Sequence, residues 1–150
     1  WIFTKGGFVQ IRTSAENIYS KSDLPEGVFE IWRISLEDQT GFTDIDLKKL
    51  VEYCERLPEI TNLNLHSTSI TTAGTPELSR LAPQLLRLNL SSTGAVDNSN
   101  IEVLGTLINL ELLILSKEVK SDSAESVPIT YESSEQLRSL LPDCEILWES

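Results

Sequence analysis

The sequence predicts an α/β fold in which short parallel strands alternate with short helices in a stack of similar units. Two observations carry this expectation. The spacing apolar-x-x-apolar-x-apolar occurs six times along the chain, and helix-start signals followed by apolar stripes fall between the copies. Strand, loop, short helix and strand at such a period implies parallel strands whose crossovers return on one side.

The clearest copy is Ile60, Leu63, Leu65, within "ITNLNLHSTSITTAG". It recurs at Leu85, Leu88, Leu90 and at Leu110, Leu113, Leu115, beginning 25 residues further on each time. Ile31, Ile34, Leu36 precedes it by 29 residues, and Leu141, Cys144, Ile146 closes the series after 31. A degraded copy, Phe8, Ile11, Thr13, stands 23 residues before Ile31. Strands are expected to centre near residues 10, 33, 62, 87, 112 and 144.

Between the copies, Thr43-Asp44-Ile45-Asp46 can cap a helix, its acidic residues suiting the N-terminal dipole. Leu47, Leu50, Val51, Cys54 and Leu57 then form one apolar stripe. Thr75-Pro76 opens a shorter helix with Leu78 and Leu81 inward, since Pro is tolerated at the first helical position. Ser99-x-x-Glu102 is read as the cap of a segment carrying Ile101, Leu104 and Leu107. Ser133-x-x-Gln136 is read as the cap of one carrying Leu137, Leu140 and Leu141.

With these residues in place, the chain resembles a leucine-rich repeat domain. "LNLHSTSITTAG" and "LNLSSTGAVD" are similar to the wording of the cysteine-containing and bacterial repeats, with Thr68 and Thr93 in the usual Asn/Cys position. The resemblance spans roughly residues 28 to 148, with several units agreeing in register. It implies a right-handed solenoid with its sheet on a concave face and its helices on a convex one. Residues 1–27 are read as an N-terminal cap or degenerate first repeat, 28–132 as the repeats and 133–150 as a closing half-repeat. Departures at the ends are expected of a solenoid that must cover its open ends.

Period-two alternation decides which side chains leave the sheet on the side away from the core. If Ile60, Leu63 and Leu65 point inward, three outward rows follow. The first reads Gln10, Arg33, Asn62, Arg87, Leu112, Asp143; the second Arg12, Ser35, Asn64, Asn89, Ile114, Glu145; the third Ser14, Glu37, His66, Ser91, Ser116, Leu147. The candidate binding residues are Arg33, Asn62, Asn64, His66, Arg87, Asn89, Leu112 and Ile114. Arg and Asn supply directional donors suited to carboxylates and backbone amides, and the two apolar residues offer an anchor. An ordinary polar strand surface is the competing reading of the same rows.

Glu37, His66 and Ser91 adjoin in the third row, in the order a hydrolytic triad would use. A serine nucleophile needs a sharp turn, an oxyanion hole and a dry pocket, whereas Ser91 falls on a regular strand. No catalytic residues are therefore assigned. The single His and two distant cysteines match no zinc or redox spacing, so no metal or cofactor is expected. Cys54 and Cys144 are read as small buried hydrophobes. Asn89-Leu90-Ser91 is a glycosylation sequon, but one on a strand. The Leu-free stretch "SKEVKSDSAESVPITYE", residues 116–132, lengthens the fifth unit; Val119, Val127, Ile129 or Tyr131 is expected to fold over Leu112 and Ile114.

A net charge of −11, from 12 Lys+Arg against 23 Asp+Glu, repels phosphate backbones and disfavours a general nucleic-acid role. No apolar run approaches the length of a membrane span, so this segment is not expected to insert in a bilayer. Trp1 and the absence of Met are read as marks of a fragment of a longer protein, which leaves cytoplasmic and exported locations both open. Together these features point to a protein-protein interaction module. The alternatives are an ancillary domain that stabilises a larger regulatory or cell-surface protein, or a hydrolase fragment, for which no catalytic signature is found.

Overall fold

The computed structural model describes residues 1–116 and 129–149. In chain order the elements are β1 (Phe8–Ile11), β2 (Ile31–Ser35), α1 (Asp44–Cys54), β3 (Asn62–Asn64), α2 (Thr75–Leu78), β4 (Arg87–Asn89), α3 (Ile101–Leu104), β5 (Leu112–Ser116), α4 (Tyr131–Leu140) and β6 (Glu145–Glu149). This is a mixed α/β architecture. Its six described strands make one sheet in which spatial order follows sequence order, β1 through β6.

The strands from β2 to β6 are parallel, and β1 is antiparallel to β2. The expectation of an all-parallel sheet is corrected at that first strand. No helix separates β1 from β2; the connection is loop and one turn of 3-10 helix at Lys21–Asp23, so nothing imposes a parallel crossover. The inward residues of β1 also differ from those expected. Val9 and Ile11 are buried, while Phe8 lies on the other side opposite Ser35 and Thr13 is exposed beyond the strand.

The middle of the sheet holds the expected register. Ile34, Leu63, Leu88 and Leu113 are neighbours across four strands, each 0–1% exposed, and Leu36, Leu65, Leu90 and Leu115 form a second buried column. The helices pack on this side. Leu47, Leu50, Val51 and Cys54 of α1, Leu78 of α2, Ile101 and Leu104 of α3 and Leu137 of α4 join the same core. Leu57 and Leu140 do not: at 44% and 39% exposure they lie outside it.

The helix starts follow local hydrogen-bond chemistry. The Asp46 side chain accepts from the Thr43 backbone N–H at 3.2 Å, closing the N-terminus of α1 as the cap motif requires. Thr75 and Pro76 open α2 as expected. The other two starts are corrected. At α3 the N-cap is Asn100, and Ser99 bonds instead to Asp97 at 2.7 Å. At α4 the N-cap is Thr130, whose hydroxyl accepts from the Ser133 N–H at 3.2 Å. Ser133 is thus the third residue of the helix rather than its cap.

The last strand begins later than expected. Leu113 pairs with Ile146 and Leu115 with Trp148, so β6 runs two residues further along the chain than the pattern Leu141, Cys144, Ile146 implied. Leu141 closes α4 instead, its N–H bonding to the Leu137 carbonyl at 3.0 Å. No helix among the described residues is long and apolar enough to cross a membrane.

Candidate functional site: the outer face of the sheet

Three features recur at the ends of β3 and β4, the first of them also at β2, and set where the outer side chains stand. Asp38, Ser67 and Ser92 all adopt positive φ, at 61°, 56° and 56°. Each lies two residues after the last buried residue of its strand, Leu36, Leu65 or Leu90. Thr68 and Thr93 each send their hydroxyl back to a strand carbonyl, Leu65 at 2.8 Å and Leu90 at 2.6 Å. Asn64 and Asn89 each accept from the backbone N–H two residues on, His66 at 3.0 Å and Ser91 at 2.9 Å. The same local bonds at the same places give β3 and β4 the same turn at their ends.

On the outer face, the first row is Gln10, Arg33, Asn62, Arg87, Leu112 and Glu145. Asp143, expected at its end, falls before β6 and is replaced by Glu145. The second row is Phe8, Ser35, Asn64, Asn89, Ile114 and Leu147, with Phe8 and Leu147 where Arg12 and Glu145 were expected. Arg12 has left the sheet and pairs with Glu30 at 2.9 Å. Ser14 has left it too. In the third row Ser116 lies opposite Glu149 rather than Leu147. Both ends of the sheet therefore differ from the expected rows, and the centre does not.

All eight candidate residues lie on this face, but their environments differ. Arg33 is half-buried; its guanidinium lies 5.8 Å from the centre of the Phe8 ring and donates one long bond, 3.4 Å, to Gln10. Its Nε is buried without a hydrogen-bond partner among the described residues. Arg87 is exposed and forms no ion pair among the described residues, and Asn62 stands half-buried between the two arginines. Leu112 and Ile114 are half-buried, next to Leu147 at 43% exposure. Asn64 is buried and gives its amide N–H to Glu37 at 3.1 Å.

At the C-terminal ends of the strands the face turns acidic. His66 Nε2 lies 4.0 Å from Asp38, and its Nδ1 lies 3.9 Å from Glu149, a residue three strands away. Ser91 and Ser116, the small residues between them, leave room for that approach. Asp38 and Glu149 were not among the candidates: Asp38 occupies a turn, and Glu149 joined the row only through the two-residue displacement of β6.

The geometry of Glu37, His66 and Ser91 does not assemble a serine nucleophile. Glu37 bonds Asn64 rather than the imidazole. Ser91 Oγ is fully buried, donates to the Asn89 side-chain Oδ1 at 2.6 Å, and lies 2.7 Å from His66 Nδ1. With its proton committed to Asn89, the Ser91 oxygen accepts from an Nδ1–H, which fixes the imidazole tautomer rather than activating the hydroxyl. This chain of bonds orders the row.

Both cysteines are free. Burial pushes the Cys54 thiol up to about 12 and, with Glu145 adding to it, the Cys144 thiol up to about 11. Neither is a thiolate near neutral pH, so neither offers a nucleophile. Val119 and Val127, two of the residues expected to cover Leu112 and Ile114, lie outside the described residues. The other two do not cover that pair: Ile129 packs against the core, and Tyr131 is 81% exposed.

No protein-family model matches the chain, and no curated protein matches it.

Proposed function

We propose that this chain is a leucine-rich repeat solenoid whose outer sheet face recognises another protein. The repeat reading is supported by the left-handed residues at Asp38, Ser67 and Ser92 and by the matching Thr68 and Thr93 bonds, which recur in phase with the leucine columns. Curvature toward the outer face is supported by His66 and Glu149. Their strands are three spacings apart, about 14 Å in a flat sheet, yet their side chains approach to 3.9 Å.

The observation that carries the recognition reading is the first row. Among the described residues Arg33 and Arg87 flank Asn62 without a carboxylate partner; elsewhere Arg12, Arg80 and Arg138 are ion-paired, whereas Arg56, just after α1, is not. Arginines left unpaired beside an apolar patch of Leu112, Ile114 and Leu147 have the composition of an interface centre. The test is recovery of a partner from the source organism with five variants. Arg33→Ala, Arg87→Ala and Ile114→Asp are expected to lose it with the fold intact; Lys48→Ala and Arg138→Ala, on the helices, are expected to keep it. Loss with the helix variants and retention with the sheet variants would reverse the assignment. Recovery of no partner by any form would favour an ancillary, stabilising role.

A further inference from the structure

The charges of the outer face are sorted by row. On the first row Arg33 of β2 and Arg87 of β4 stand on either side of Asn62. Four residues further along the chain from Arg33, about 13 Å in extended backbone, Glu37 is exposed, Asp38 follows in the turn, and Glu149 of β6 closes on His66 from the far side. Glu145 holds the β6 end of the first row. A carboxylate brought to this face is repelled along the acidic margin and at Glu145, and is attracted between the two arginines.

Arg33 is seated. Its guanidinium lies 5.8 Å from the centre of the Phe8 ring, makes one long bond of 3.4 Å to Gln10, and has its Nε buried without a hydrogen-bond partner among the described residues. A half-buried guanidinium with donors so poorly met gains more from an added anionic acceptor than a solvated one does. Arg87 is exposed, two strand spacings away, about 10 Å between Cα atoms. Only the shorter Asn62 side chain lies between them, so both arginines can reach one carboxylate above it, and the Asn62 amide adds a donor. Carboxylates are also what the guanidinium groups of Arg12, Arg80 and Arg138 hold in this molecule. The net charge of −11 opposes a partner that is acidic throughout, which favours a single carboxylate in an otherwise uncharged segment. Leu112 stands one strand beyond Arg87, beside Ile114 and Leu147. An apolar side chain over that patch lies about 10 Å from the carboxylate, roughly three residues on in extended chain.

We propose, resting on the outer face as the recognition surface, that Arg33, Asn62 and Arg87 bind one Asp or Glu side chain of an extended partner segment, and that Leu112, Ile114 and Leu147 take a large apolar side chain roughly three residues from it. The seated guanidinium of Arg33 fixes the place of the carboxylate, and Arg87 closes over it from the other side.

The test is selection of random peptides displayed on phage against the immobilised full chain, followed by affinity measurement of the best peptide made synthetically. The selected peptides are expected to share an Asp or Glu set roughly three residues from a Leu, Ile or Phe. Changing that acidic residue to its amide is expected to weaken binding about tenfold to a hundredfold, the range for hydrogen bonds to a charged group. Arg87→Glu, a change at an exposed position with the unfolding midpoint preserved, is expected to weaken the acidic peptide and to favour its Lys counterpart. Selection of no peptide, selection without an acidic residue, or binding of the amide form within about twofold of the acidic one overturns the proposal. So does an Arg87→Glu chain that binds the acidic and Lys forms alike. The Arg33→Ala/Arg87→Ala double variant separates the two levels of failure. If it loses peptides that carry no acidic residue, the face still recognises and only the carboxylate assignment falls; if it binds the selected peptides as the native chain does, both fall.

Discussion

Leu88 shows what one residue contributes. It sits between Leu63 and Leu113 in a column of three identical side chains, each no more than 1% exposed, so removing it leaves a cavity that neither neighbour can fill without leaving its own place. Leu88→Ala is expected to cost about 2–5 kcal/mol in denaturant unfolding, the range for buried leucine truncations; less than about 1 kcal/mol would mean the column is not packed as described. Cys54 makes a second residue-scale prediction. Its folded thiol is pushed by burial from an ordinary value near 9 to about 12. The stability that follows is complete below pH 9, where both folded and unfolded thiols are protonated, and is lost as pH rises toward 12. Unfolding measured across that window is expected to show a steeper decline for the native chain than for Cys54→Val. In alkylation of the folded protein at neutral pH, half-buried Cys144 is expected to react before Cys54.

At the scale of elements, α1 tests the link between cap chemistry and pH. Burial pulls the Asp46 carboxyl upward, but its bonds to Lys5 and Thr43 outweigh that and hold it below the usual carboxylate range. A carboxyl depressed in the folded state stabilises the fold above its unfolded value and stops doing so as pH falls through and below about 3.8. Acid unfolding is therefore expected to separate native chain from Asp46→Asn near neutral pH and to narrow that gap progressively as pH falls below about 3.8; a constant gap would exclude the carboxylate as its cause. Thr43→Ala is expected to cost about 0.5–2 kcal/mol, as loss of an N-cap does. Which elements the sequence made legible follows from the same physics. The leucine columns were readable because alternation and burial agree over three units. The displacement of β6 was not, because a slip of two residues keeps every side chain on its expected face and only the extra length of α4 reveals it. The direction of β1 was not readable either, since a four-residue alternation is identical in both senses. Ser67 and Ser92 carry no signal, because left-handed positions are usually marked by Gly, Asn or Asp; only Asp38 carries a weak one.

At the scale of the molecule, the sheet separates two kinds of surface. Its core side and helices consume the apolar residues, and the surface ion pairs of Arg80 with Glu55 and Glu77 lie on that scaffold. Its outer face carries two arginines without an ion pair among the described residues, a row of asparagines, an apolar patch toward β6 and an acidic margin around His66. The candidate rows were legible at β2 through β5, where register is set by the columns behind them, and failed at both ends, where β1 reverses and β6 shifts. Phe8 and Glu149 entered the face only through those failures, and Asp38 entered it from a turn, so its aromatic floor and acidic rim were invisible in the sequence. The central claim is that partner binding is centred on the first row. Titration calorimetry of the recovered partner against the Arg33→Ala/Arg87→Ala double variant, with Lys48→Ala as control, tests it most directly. The double variant is expected to lose at least about 2 kcal/mol of binding, roughly thirtyfold in Kd, as central arginine anchors do, while Lys48→Ala and the unfolding midpoint stay unchanged. Binding by the double variant within about twofold of the native chain would place the interface elsewhere and contradict the account.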